Sequence, residues 1–344
     1  MAESIQGVPP FASRVSSLPR RAARPTAREW TRHAVFFALT FLTVAWAGMS
    51  ILVPFGDVEP AIAAPVTPLD YLLYVPKYYV LALAAIGSYA LAHPQYILDG
   101  LKFAAALLSI LLAHESGHYV ACRLYGVDAT LPFFIPMPPP IMVGTLGAFI
   151  KIKSPIPSRR ALFDIGVAGP LAGFLVLVPI AAVGLLTAAP SPPVPSDGSA
   201  TIFNDPLLTR LLARVLGARD PSGIQINPFY FAAWVGLLVT SLNLMPVGQL
   251  DGGHATYAVF GRRLHKQVGR VAFVLVLALV PLGLFLHGVP SGFLYAVLLF
   301  VMLRLRHPEA LDESDSLGTA RTLVAVATLA VFVLSFTAFP IALR

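Results

Sequence analysis

Apolar runs recur along this chain, each close to the length that crosses a lipid bilayer, and short polar or basic stretches separate them. A helix needs about 20 mainly apolar residues to span a hydrocarbon core of ~30 Å. Such runs lie at 34–54, 101–122, 163–187, 228–247, 270–287 and 321–342, with a shorter one at 291–304. The stretch 71–92 is less regular: Pro76 and Lys77 interrupt it, and it reads as an interfacial or re-entrant segment. The pattern predicts an all-α polytopic membrane protein with about seven transmembrane helices, roughly six to eight.

One region breaks the pattern. Between 131 and 156, Pro132, Pro136, Pro138, Pro139 and Pro140 exclude helix, and 143–152 has the composition of a strand. A short membrane-associated β-like or re-entrant segment is expected there. Irregular backbone survives at membrane depth only where protein buries it or where it lines a wet cavity. A strand edge in such a place would hold an extended peptide by strand addition; a simple surface hairpin is the competing reading.

Composition supports the membrane reading. Hydrophobic residues make up 57% and charged ones 12%, against about a quarter charged in an ordinary soluble domain. The formal charge of +7 is concentrated in short connections. Arg123, Lys151, Lys153, Arg159 and Arg160 follow one apolar run, and Arg262, Arg263 and Lys266 follow another. This places 123–130, 151–160 and 261–266 on the cytoplasmic side and gives no sign of nucleic-acid binding. Residues 188–226, Pro/Ser-rich and then amphipathic at 207–216, are expected outside and are too few for a typical folded domain. The chain divides into a basic cytoplasmic arm (1–32), a first span with the interfacial or re-entrant segment (33–98), a membrane core (99–260) and carboxyl-terminal transmembrane helices (261–344). No cleavable signal peptide is expected, and the single Cys122 rules out an intrachain disulfide.

Polar residues inside the apolar runs carry the chemistry. His114-Glu115-Ser116-Gly117-His118 sits within 101–122. On a helix the two imidazoles project from one face a turn apart, the spacing that holds one metal ion, with the carboxylate beside it. The sequence has 8 histidines in 344 residues, and random order would give about 0.003 occurrences of His-Glu-x-x-His. An unpaired carboxylate in such a span costs about 2.5–3.5 kcal/mol, so incidental placement is a poor account. A third ligand is supplied by Asn243-Leu244-Met245-Pro246-Val247-Gly248-Gln249-Leu250-Asp251-Gly252-Gly253-His254. Asp251 follows an apolar run directly; alone it would read equally well as a helix cap. Cys122, one turn beyond His118, reads as packing rather than a thiolate ligand, and His254 as a neighbour of the metal rather than a fourth ligand. His33, His93, His265, His287 and His307 read as interfacial.

These motifs, with Gly144-Thr145-Leu146-Gly147 and Ala168-Gly169-Pro170, resemble the site-2 protease family of intramembrane zinc metalloproteases, peptidase family M50. The stretch 154–166 resembles its bacterial and plastid branch, related to the ethylene-dependent gravitropism-deficient-and-yellow-green proteins. The likeness covers roughly 100–260. Ser116 stands where the family often has Leu, and Gly173 where some members have Asn. The resemblance implies one Zn²⁺ per chain held by His114, His118 and Asp251, with Glu115 as the catalytic base. Asn243, Gly144, Thr145, Gly147 and Pro246 are the candidate substrate-binding positions. It implies a transmembrane protein substrate, a lipid bilayer as surroundings and, as the expected location, the bacterial inner membrane. The rival reading is a metal-binding membrane transporter or sensor, which would string ionisable residues along a path through several helices.

Overall fold

The computed structural model describes residues 22–343, apart from 61, 68, 139–140, 192–200, 291, 306–310, 313 and 315. Most of the basic arm, His307, Pro139 and Pro140 lie outside the described residues. The elements in chain order are α1 (Ala27–Leu52), α2 (Phe55–Val58), α3 (Asp70–Ala92), α4 (Pro94–Leu124), β1 (Phe133–Pro136), β2 (Thr145–Phe149) and α5 (Arg159–Leu186). There follow β3 (Thr201–Phe203), α6 (Leu207–Leu216), α7 (Pro228–Asn243), α8 (Asp251–His287), α9 (Phe293–Arg304), α10 (Gly318–Ser335) and β4 (Ile341–Leu343). Among the described residues, six helices (α1, α3, α4, α5, α8 and α10) are long and apolar enough to cross a membrane. Large apolar side chains such as Leu175, Leu186, Phe285 and Leu329 stand exposed on them, as suits a protein whose solvent is lipid. The chain is an integral membrane protein.

Helix α4 is the axis of the bundle, packed on α1, α5 and α7. Lipid offers no hydrophobic drive for helices to associate, so close approach must supply the attraction. Small residues allow it. A Cβ on Gly48 of α1 would meet Phe103 at 2.5 Å, and one on Gly100 of α4 would meet the Ala45 carbonyl at 2.4 Å. Phe103, Leu107, Leu108 and Ile110 of α4 are buried against these neighbours.

The ends of the helices fix the topology. Arg123, at the end of α4, donates to the Ala23 carbonyl, and Asp128 accepts from the Ala23 amide at 2.7 Å. Gly100, near the start of α4, lies against the last turns of α1. The two helices are antiparallel, so the chain leaves α1 and enters α4 on one side, and no single crossing fits between them. Helix α3 falls in that interval. Where 71–92 was expected to be interfacial or re-entrant, it is one unbroken 23-residue helix with Pro76 inside it. A re-entrant turn is thereby replaced by continuous helix.

Other differences have local causes. The loop expected at 261–266 is helical except at Gly261, whose φ of 75° and ψ of 175° divide α8 into two pieces. Arg262, Arg263 and Lys266 are good helix formers and simply continue the second piece. The expected span 228–247 stops at Asn243, because Pro246 and Gly248 (φ 56°) cannot extend it. The 291–304 run forms a helix of only 12 residues, α9. The strand expected over 143–152 is β2 proper, paired antiparallel with β1 as Phe133↔Phe149 and Phe134↔Ala148. This hairpin is not free on the surface: Phe133 and Phe134 pack on Phe36 and Phe37 of α1, and Thr43 donates to the Gly144 carbonyl at 2.7 Å. Strand β3, in the 188–226 insert, pairs with β4 at the far end of the chain.

Candidate metal centre

Three helices bring the site together. His114 and His118 project from the last third of α4, while Asp251 opens α8 just after the broken segment that ends α7. Helix α7 has 16 residues, about 24 Å at 1.5 Å per residue, less than the ~30 Å of a hydrocarbon core. It is too short to cross by itself, and the turns at 244–250 that follow are packed in protein, with Gly248 against the Met302 carbonyl of α9.

The donor atoms form a small triangle. His114 Nε2 lies 3.1 Å from His118 Nε2, and Asp251 Oδ2 lies 3.2 and 3.3 Å from them. Two ligands held at about 2.05 Å in a tetrahedral shell stand about 3.3 Å apart. The triangle matches that edge, and the donor set of two imidazoles and one carboxylate leaves a fourth position open. Among the described residues this is the one group of three or more His, Cys, Asp or Glu side chains converging in this way.

Backbone groups orient the side chains. The Nδ1–H of His118 donates to the Ile165 carbonyl of α5 at 2.7 Å, which turns Nε2 with its lone pair toward the triangle. Glu115 is buried beside it, Oε1 lying 4.0 Å from His114 Nε2, at the cavity wall that residues 148–152 line. The Asn243 amide nitrogen is 3.3 Å from His114 Nε2. Glycines on α5 make the room. A Cβ on Gly169 would stand 2.1 Å from His118 Nε2, one on Gly173 3.1 Å from His114 Cβ, and one on Gly166 2.8 Å from His254 Cβ.

A cavity of about 610 Å³ opens on the triangle, lined on one side by residues 148–152 and on the other by Asn243, Gln249, Leu250 and His254. Of the candidate substrate-binding positions, the structure brings only Asn243 to this cavity. Gly144 is pressed against α1, Thr145 donates to the Ile135 carbonyl at 2.9 Å within the hairpin, Gly147 donates its amide to Thr145, and the Pro246 carbonyl faces Gly269. Cys122 is fully buried among Val127, Ala161, Leu162 and Tyr257, outside the donor group. His33 and His265, expected at an interface, are buried: His33 meets Phe133 edge-on, and His265 Nδ1 lies 3.0 Å from Thr256 Oγ1. Ile165 escapes any reading of side chains because it acts through its backbone carbonyl.

The family model for peptidase family M50 matches residues 102–286, more than half of the chain. The chain belongs to peptidase family M50. This M50 chain is 32% identical over 252 residues to the probable zinc metalloprotease EGY1, chloroplastic, of Oryza sativa subsp. japonica, covering 72% of the chain and 42% of that protein. The EGY1 of Arabidopsis thaliana is 34% identical over 238 residues, covering 67% and 42%. The EGY2 of Arabidopsis thaliana is 30% identical over 214 residues, covering 60% and 36%. The M50 chain thus spans about two fifths of the length of these plant relatives.

Proposed function

We propose that this M50 chain is an intramembrane zinc metalloprotease that hydrolyses peptide bonds within or near transmembrane segments of other membrane proteins. The supporting observation is the triangle of His114, His118 and Asp251, spaced as three ligands of one tetrahedral zinc and set among helices apolar enough to cross a membrane. When bound, zinc supplies a Lewis acid that polarises the scissile carbonyl and acidifies water toward a pKa of about 7. Glu115 takes the proton of the attacking water and passes it to the leaving nitrogen. Its carboxylate stands at the cavity wall, with Oε1 4.0 Å from His114 Nε2. Asn243, with its amide at the same cavity, binds a backbone group of the unwound substrate.

A transmembrane helix satisfies its own backbone, so unwinding it exposes amides at several kcal/mol each. The 143–152 segment offers replacement hydrogen bonds by strand addition. We place α3 along the interface, since α1 and α4 leave no room for a lone crossing, and the basic ends of α4 and α5 in the cytoplasm. The bacterial inner membrane stays as the proposed location; the plant relatives are themselves named chloroplastic. Among the described residues His114, His118 and Asp251 converge at one point, with Glu115 beside them, rather than standing along a path, so they lend the transporter reading no support. The deciding experiment is cleavage of a model transmembrane substrate by the purified chain in detergent, with and without a zinc chelator. Unchanged cleavage after zinc removal would overturn the proposal.

A further inference from the structure

Helix α10 lies beyond the residues that the M50 model matches, yet its first turn reaches the end of α4, which carries His114 and His118, and α5, which packs against them. Arg321 Nε lies 2.9 Å from Asp164 Oδ1, and Arg321 Nη2 2.8 Å from Asp164 Oδ2, a two-pronged contact. The same Nη2 donates to the Tyr125 hydroxyl at 3.2 Å, and that hydroxyl donates in turn to Asp164. Tyr125 closes α4, two turns after His118. Asp164 sits on α5 next to Ile165, whose carbonyl accepts from His118 Nδ1. Three helices are thus joined at a point one residue from the group that orients a metal ligand.

The side chains of Arg321 and Asp164 are 30% and 29% exposed, and a lone ion pair at that exposure adds little to stability. Geometry is the stronger argument. A guanidinium fork on a carboxylate fixes direction as well as distance, and a third partner on α4 removes the remaining slack. A shift in the α4–α5 register would move the Ile165 carbonyl relative to the His118 ring. Partners that hold a ligating histidine typically change metal affinity by about 10–100-fold when lost.

We propose that Arg321, Asp164 and Tyr125 form a clamp, completed from outside the residues that the family model matches, that positions His118 through Ile165 and so sets the affinity of the site for its metal. The three are positioning residues. The proposal rests on the metal-site reading above but not on proteolysis. The test uses the full chain in detergent and measures the zinc dissociation constant by chelator competition, the visible spectrum of the cobalt-loaded protein, and the melting temperature of the metal-free protein. Asp164→Asn and Arg321→Met should each raise the zinc dissociation constant about tenfold, shift the cobalt bands, and produce no further loss when combined. Arg321→Lys, which keeps the charge but not the fork, should fall between wild type and Arg321→Met. Arg160→Ala, which removes a contact to the Ser316 carbonyl on the linker before α10, should leave affinity and spectrum unchanged. Wild-type affinity and cobalt bands in both Asp164→Asn and Arg321→Met, with or without a lowered melting temperature, would overturn the clamp alone. A wild-type chain that binds no zinc would overturn the metal site itself and the clamp with it.

Discussion

The imidazole of His118 lies against bare backbone at Gly169, where a Cβ would stand 2.1 Å from Nε2, one corner of the donor triangle. Helix propensity and the site oppose each other at this position. Alanine is better than glycine within a helix by about 1 kcal/mol, so Gly169→Ala should favour α5 while displacing the ring. The expected outcome is a zinc affinity at least about tenfold weaker. Gly173→Ala, whose Cβ would meet His114 Cβ at 3.1 Å, should lose less. Titration of the purified variants with zinc checks both. Wild-type affinity in Gly169→Ala would show that the ring does not rest there.

Glu115 and Asp251 are expected to separate chemistry from metal binding. Glu115→Gln should abolish cleavage and keep one zinc per chain, because Glu115 stands beside the donor triangle and is not part of it. Asp251→Ala should lose both zinc and cleavage. Metal content by elemental analysis, set beside cleavage of a membrane substrate, distinguishes the two. Cleavage by Glu115→Gln at near wild-type rate would remove it from the role of base.

Much of this arrangement was legible in the residues, and what was not has a common cause. His114, His118 and Asp251 announced themselves because ionisable groups are costly among apolar neighbours. The glycine face of α5 was visible as Gly166, Gly169 and Gly173, though not the fact that ligand rings would rest on it. Ile165 left no trace, since a backbone carbonyl belongs to every residue. The Arg321–Asp164 contact spans 157 positions in sequence, and nothing local marks either partner. Helix α3 was misjudged in form because Pro76 was expected to interrupt it, whereas the helix runs through it.

Sidedness is testable with single cysteines. In a Cys122→Ala background, cysteines placed in 123–130, 151–160 and 261–266 should react only with reagents admitted to the cytoplasm, and those in 201–226 only from outside. Labelling of 261–266 from outside would invert the arrangement. A cysteine at Val75 in α3 (58% exposed) should react from the outer side if α3 lies along that interface.

The hairpin gives a sharper prediction. Proline at Leu146 or Phe149, both exposed on β2, would delete a backbone donor or bend the strand. Cleavage should fall strongly, by tenfold or more for about 1.4 kcal/mol lost in substrate binding, while zinc content stays at the wild-type level. Normal cleavage by both variants, or loss of zinc along with activity, would mean that the segment is only a lid over the cavity.

The short length of α7 has a consequence for the products. If a substrate helix lies beside α7, the bond presented to the metal falls about 16 residues below the outer end of that helix. The outer fragment then keeps an apolar stretch some four residues short of the ~20 needed to cross the bilayer. Such a stub fits the membrane poorly: it must thin the lipid around it or draw its new charged terminus toward water. The severed half would thereby be marked by hydrophobic mismatch, with no further signal in its sequence.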